Sequence, residues 1–235
     1  MSNQDGFINV SLKDNISLYY QRLSILKSIK SSLKHFSGIM LDTGCGKMPY
    51  KSFLLENSDI KEYIGLDIEE AKVYDAHVQP DYRWDGKKMP FEDDSFDCAF
   101  ATEVLEHVPE PDIFLKEVYR VLKTGGVFFF TTPFLWPLHE PPYDEYRYTP
   151  FSMERILKKN GFTDIEIKSL GGWNASLGQM IGLWVKRSPM HPRKRRILRK
   201  IALPILKYLY KHDNSNPDFF KGPMITGIFG TAYKK

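Results

Sequence analysis

The feature that most constrains this chain is a recurrence along its length. Short apolar runs alternate with longer segments whose apolar residues repeat every three or four positions. Runs of four to six residues suit strands and the periodic segments suit helices, so a helix returns the chain between successive strands. That is the pattern of an α/β domain built on a mostly parallel sheet. The strands are expected at 39–42 (IMLD), 63–67 (YIGLD), a weaker segment ending near Trp84-Asp85, 96–101, 127–132 (VFFFTT), 164–169 (DIEIKS) and 224–233. Ile16, Tyr19, Leu23, Leu26, Ile29 and Leu33 mark a first helix, with Gly38 as its expected stop. Residues 112–123 form a second, closed by Lys123-Thr124-Gly125. A third starts at Thr149-Pro150, proline being tolerated in a first turn, and stops at Gly161.

The 235 residues are enough for one domain with a sizeable core. Cys45 and Cys98 are the two cysteines, too few for a disulfide framework, which makes a reducing compartment the default. No stretch reaches the ~18 uncharged apolar residues of a membrane span. The polar, acid-containing start resembles no signal or transit peptide, and the expected location is cytoplasmic.

Chemistry gathers where strands end. The first runs into Asp42-Thr43-Gly44-Cys45-Gly46-Lys47-Met48-Pro49-Tyr50, a glycine turn that lets backbone approach a ligand closely. The second ends in Asp67, followed by Ile68, where a carboxylate suits the two hydroxyls of a ribose. Together they point to a nucleoside-containing cofactor. A nicotinamide dinucleotide would want a third glycine where Pro49 stands, and Asp42 would repel phosphate but suit an ammonium group. A cofactor with an amino-acid end and no phosphate fits better.

These segments, in this order, resemble the class I S-adenosylmethionine-dependent methyltransferases of the type-11 group. LDTGCGKMPY resembles that family's first motif, GLDI its ribose-binding motif and WDGKKMPFEDDSFD its third. FDCAFATEVLEHVPEP resembles the fourth, and VLKTGGVFFFTTP the strand after it. The likeness covers residues 16–170 and the final strand, with one departure at Met48, where many members have glycine. It implies a Rossmann-like, seven-stranded, mostly parallel sheet with helices on both faces and an antiparallel last strand. One domain would span 1–235, with a helical segment at 1–38, a cofactor-binding core at 39–170, a helical basic insertion at 171–222 and the final strand at 223–235. It also implies S-adenosyl-L-methionine as cofactor. Gly44, Cys45 and Gly46 would pass under its methionine part with Asp42 near the amino group. Asp67 and Ile68 would take the ribose, Asp85 and Gly86 the adenine, and Thr102, Glu103 and Val104 the sulfonium end. Tyr20 and Arg22 would close over the carboxylate.

Methyl transfer from a sulfonium is an in-line displacement, and a hydroxyl acceptor benefits from a base. The candidates are His107 and His139, with His139 preferred. Tyr143, Asp144, Tyr146 and Arg147 share the Pro-rich segment after the fifth strand, where substrate loops belong. His139, Glu140 and Asp144 match no compact metal-binding spacing, so no metal is expected. HEPPYDEYRYTPFSMERILKKNGF loosely resembles members tied to surface glycan pathways, which suggests a small-molecule, sugar or glycolipid acceptor. The alternative is a non-catalytic module on the same fold, with a basic tail for a membrane or polyanion.

The net charge of +4 conceals a division. Residues 1–167 carry 19 basic and 27 acidic side chains, whereas 168–212 carry eleven basic and no acidic ones. Within 193–211, Ile197, Leu198, Ile201, Ile205, Tyr208 and Leu209 share one helical face opposite Arg193, Arg196, Arg199, Lys200, Lys207 and Lys211, and Pro204 is expected to kink or divide the helix. The sharper reading is peripheral contact with anionic membrane; the plainer one, preferred on sequence, docks the apolar face on the domain and leaves the basic face solvated. No recognisable nucleic-acid-binding module accompanies the charge.

Overall fold

In the run Val127-Phe128-Phe129-Phe130 every residue is buried. A strand that buries successive residues must be covered on both faces, which is the condition of a central strand in an α/β sheet. The computed structural model shows how, and it describes residues 5–70, 78–214 and 217–235. Seven strands among the described residues make one sheet: β1 (Ser37–Thr43), β2 (Asp59–Ile68), β3 (Tyr82–Trp84), β4 (Phe96–Thr102), β5 (Leu122–Pro133), β6 (Thr163–Ser169) and β7 (Gly227–Tyr233). Their order is β3-β2-β1-β4-β5-β7-β6. The first five are mutually parallel, while β7 runs antiparallel to both its neighbours. The expected fold class is therefore observed.

Phe129 stacks on Phe100 at 5.2 Å and meets Phe36 edge-on at 5.5 Å on one face. Phe128 and Phe130 lie on the other, with Phe162 5.7 Å from Phe128. Each buried phenylalanine contributes about 1.5–3 kcal/mol of transfer free energy, so this cluster anchors the middle of the sheet. Helices α1 (Asp5–Ile8), α2 (Tyr19–Ser32), α3 (Lys51–Asn57), α4 (Pro111–Val121) and α5 (Pro150–Lys159) complete the core. Thr149 caps α5 through a reciprocal pair: its hydroxyl accepts from the Ser152 amide at 3.1 Å, and the Ser152 hydroxyl accepts from the Thr149 amide at 3.0 Å.

Several boundaries differ from expectation. α2 ends at Ser32, and Gly38 lies inside β1 at φ +68°. Its missing side chain makes room for Asp97, whose Oδ2 accepts the Ile39 amide at 2.8 Å. α4 ends at Val121 because Leu122 already begins β5, so residues 123–125 are strand rather than helix cap. The last strand starts at Gly227 rather than 224.

Between β6 and β7 the chain forms a pair of packed helices, α6 (Trp173–Arg187) and α7 (Pro192–Lys211). α7 continues through Pro204 without dividing. Its packing face is Ala202, Leu206 and Leu209 with half-buried Leu198, one step around from the expected stripe. Ile197, Ile201, Ile205 and Tyr208 are left exposed. α6 likewise exposes Trp173, Leu177, Met180 and Trp184. The preferred sequence reading docks the apolar face on the domain; of the six residues named for that face, Leu198 and Leu209 turn inward and the other four stand in solvent. No helix among the described residues is long and apolar enough to cross a membrane.

Candidate active site

The glycine turn after β1 closes against the end of β2. The Gly44 and Cys45 amides both donate to the Leu66 carbonyl, at 2.8 and 3.1 Å. The Gly46 amide donates to Asp67 Oδ2 at 3.0 Å, which joins the two motifs at one point, while Asp67 Oδ1 accepts the Ile68 amide at 2.9 Å. Burial raises the Asp67 pKa, and those two amide bonds oppose the rise. Gly44 sits at φ +72°, and a methyl added there would lie 2.7 Å from both Val104 methyls, so the turn presses on the segment after β4. Met48, the family departure, adopts φ +48°, a backbone state glycine takes without strain.

Asp42 is buried at the end of β1 and accepts a short hydrogen bond from the Tyr63 hydroxyl. Burial pushes its pKa up to about 7. Beyond β3, Asp85 is exposed and accepts the Lys87 and Lys88 amides at 2.9 and 3.1 Å, which lower its pKa and shape the turn that holds Gly86 at φ +78°. Ile68 reaches toward Gly86 and keeps an exposed apolar face. Tyr20 and Arg22 are committed elsewhere: the Tyr20 hydroxyl donates to Asp213 at 3.0 Å, and Arg22 donates to the Gly6 carbonyl at 2.6 Å while lying over Phe7.

After β4, Glu103 adopts φ +56° and turns its carboxylate inward. Gln21 donates to it at 2.6 Å and the Thr131 hydroxyl at 2.9 Å. Gln21 and Thr131 were not singled out from sequence; Gln21 lies between the two residues that were. A short turn (Leu105–His107) follows. His107 and His139, weighed above as alternatives, are neighbours with ring centroids 4.7 Å apart. The Tyr143 carbonyl lies 2.9 Å from His107 Nδ1. His139 is held by Asp144, whose Oδ2 accepts the His139 amide at 3.1 Å and lies 3.2 Å from its Nδ1. Burial lowers the His139 pKa, partly offset by the Asp144 charge. Arg147 grips Asp144 with two bonds of 2.6 and 2.8 Å, which hold the Asp144 carboxyl far below its usual range. The Tyr146 hydroxyl donates to the Pro109 carbonyl at 3.0 Å, whereas the Tyr143 ring is exposed. The whole loop is pinned where the Glu145 and Tyr146 amides donate to the Glu106 carbonyl, at 2.9 and 3.1 Å.

A glycine turn, a ribose-type carboxylate and an acidic strand end on adjacent parallel strands recur in one large class, and comparison with known proteins agrees. Residues 41–130 match the family model of the methyltransferase domain. Over those residues the chain carries a methyltransferase domain. A phthiotriol/phenolphthiotriol dimycocerosates methyltransferase of Mycobacterium ulcerans is 31% identical over 125 residues, covering 51% of this chain and 44% of that protein. A cycloartenol-C-24-methyltransferase of Oryza sativa is 31% identical over 129 residues, covering 50% of this chain and 36% of that one. The chain thus spans less than half the length of these curated relatives. Among solved structures, a Thermotoga maritima methyltransferase described as a possible histamine N-methyltransferase superposes with a TM-score of 0.58 at 17% identity, covering 98% of this chain and 96% of its own. A Haemonchus contortus phosphoethanolamine N-methyltransferase in complex with S-adenosylhomocysteine gives 0.55 at 18%, covering 100% and 60%. These structures share the methyltransferase domain's fold.

Proposed function

We propose that this protein transfers a methyl group from S-adenosylmethionine to a hydroxyl of a sugar, glycolipid or other small acceptor, working at an anionic membrane surface. The observation that carries the reading is the joint between Gly46 and Asp67, which sets a glycine turn beside a carboxylate at the ends of two adjacent strands. Those residues fit the cofactor: Gly44, at φ +72° against Val104, lets the backbone turn where its methionine part would lie, Asp42 offers a carboxyl to its amino group, and exposed Ile68 beside Gly86 offers an apolar shelf for adenine. When bound, the cofactor supplies an electrophilic methyl on a sulfonium. Asp67 would orient the ribose, and Val104 would wall the sulfonium end. His139, kept predominantly neutral by its burial, would accept the hydroxyl proton of the acceptor, with Asp144 and Arg147 fixing its position.

The membrane part rests on the paired helices α6 and α7. Their exposed tryptophans, isoleucines and leucine stand among eleven basic and no acidic residues over 168–212. Apolar side chains beside concentrated positive charge favour an anionic lipid surface. Lys186, Arg195, Arg196 and Arg199 also line a cavity of about 220 Å³, with Asp14 in the same wall. The curated relatives, whose names include a sterol-type and a mycocerosate acceptor, suit a lipid-linked substrate.

Release of S-adenosylhomocysteine across a panel of acceptors tests the enzymatic reading. Methyl transfer abolished in Asp67→Ala supports it, and binding of cofactor without transfer to any acceptor would favour a non-catalytic module. Co-sedimentation with phosphatidylglycerol vesicles tests the surface. Salt-sensitive binding, lost in Trp184→Ser/Ile201→Ser, is expected; equal binding to neutral vesicles would remove the anionic attraction, and no binding to either would remove the membrane.

A further inference from the structure

Glu106 is fully buried, yet neither of its carboxylate oxygens has a hydrogen-bond partner among the described residues. An uncompensated buried carboxylate is costly, so native structures pair such groups or give them a metal. Two imidazoles lie close to it. One ligand atom each from Glu106, His107 and His139 lies within 4.8 Å of the others.

The surroundings of both histidines orient them for this use. His107 Nδ1 lies 2.9 Å from the Tyr143 carbonyl, an acceptor only, so Nδ1 carries a proton and Nε2 is the nitrogen turned toward Glu106. That Nε2 is 3.8 Å from Glu106 Oε1. Asp144 Oδ2 accepts the His139 backbone amide at 3.1 Å and lies 3.2 Å from its Nδ1, close to that ring nitrogen but without a hydrogen bond to it, and Arg147 fixes Asp144 through two bonds of 2.6 and 2.8 Å. A carbonyl behind one imidazole and a carboxylate behind the other is the outer arrangement that metal-binding histidines use. Glu103 adds a second carboxyl whose charge is felt at Glu106, and burial together with that charge raises the Glu106 pKa.

We infer that Glu106, His107 and His139 bind one divalent transition-metal ion. Two imidazoles and a carboxylate suit zinc, cobalt, manganese or iron(II) better than magnesium or calcium. Donors around such an ion stand about 3–3.5 Å apart, so the three groups need to close by up to about 1.5–2 Å. Both imidazoles are partly open to solvent, which leaves coordination positions for an outside ligand. An acceptor hydroxyl bound there would be acidified before attack, and with the ion in place His139 would serve as its ligand instead of accepting the proton. This last role rests on the methyltransferase reading, whereas the binding of the ion does not.

Chelator-treated full-length protein titrated with Co²⁺ tests the site through the visible absorption of bound cobalt and through calorimetry. One ion per chain is expected, with His107→Asn and His139→Asn each weakening Co²⁺ binding at least about tenfold. S-adenosylhomocysteine binding, measured in parallel, reports that each variant is folded. Absence of saturable Co²⁺ binding in wild type, or affinity unchanged in the His107→Asn/His139→Asn double variant, would overturn the site. In that case retained S-adenosylhomocysteine binding leaves the cofactor reading standing. Conversely, Co²⁺ bound one to one without S-adenosylhomocysteine binding would support the metal site while removing the cofactor reading.

Discussion

Replacing Asp42 by asparagine isolates the cost of ionising a carboxyl at the foot of the glycine turn. Burial lifts the Asp42 pKa from 3.8 to about 7, opposed by the Tyr63 hydrogen bond, raised further by the Asp67 charge and lowered by Lys51. Between those two values the folded protein keeps a proton that the unfolded chain has released. Stability therefore falls as pH rises through that window and levels off above it. Integrated from pH 5 to pH 8, the loss is about 2.5 kcal/mol, out of about 4 kcal/mol for the whole shift. Asp42→Asn retains an acceptor for the Tyr63 hydroxyl and cannot ionise, and every other titrating group is common to both proteins. Urea unfolding of wild type and variant at pH 5, 6, 7 and 8 gives the comparison directly. The stability of wild type relative to variant should decline by about 2.5 kcal/mol across the series. A difference that stays constant within about 0.5 kcal/mol would show that Asp42 is ionised in the folded protein and refute the reasoning.

Other expectations follow from the same geometry. If the amino group of S-adenosylhomocysteine sits against Asp42, its affinity should rise about eightfold from pH 6 to pH 7.5 and become nearly flat in Asp42→Asn, as read by calorimetry. Gly44→Ala meets both Val104 methyls at 2.7 Å and a left-handed φ of +72°; S-adenosylhomocysteine affinity should drop at least about tenfold, since the turn must move by more than the ~1–2 kcal/mol conformational cost alone. Gly38→Ala places a methyl 2.2 Å from Asp97 Oδ2; losing the Asp97–Ile39 bond as well should lower Tm by about 5–10 °C in a thermal melt. Arg147→Lys keeps the charge but not the two-bond grip on Asp144, so limited proteolysis should cut faster within 136–147.

The strands were legible because their signals are local: IMLD, YIGLD and VFFFTT each carry strand composition and a defined end. The glycine turn and Asp67 were legible as one site because only 21 positions separate Gly46 from Asp67 and adjacent parallel strands bring them together. His107 and His139 were legible singly but not as a pair, since β5 and a folded loop must be built before their rings meet. Glu106 stood in plain view within a quoted motif, yet its burial depends on the loop over it. In α7 the amphipathic pattern was real but its direction was not readable. α6 occupies one flank and the domain another, so Leu198, Ala202, Leu206 and Leu209 became the packing face. Gly38 misled because glycine ends helices and also makes room for side chains, and here Asp97 fills that room.

β7 enters the sheet between β5 and β6, which end about 94 and about 58 residues before it begins. Until 227–233 are in place, β5 presents an open edge carrying three consecutive phenylalanines. An apolar strand with unpaired amides is a template for pairing with another chain. During synthesis that apolar edge therefore lacks its β7 partner until about a hundred further residues have been made. Gly230 is fitted to that late insertion, for a methyl there would lie 2.5 Å from the Glu166 carbonyl and 2.7 Å from the Phe130 ring. The order in which the chain is made thus leaves the closing of its sheet to the last strand.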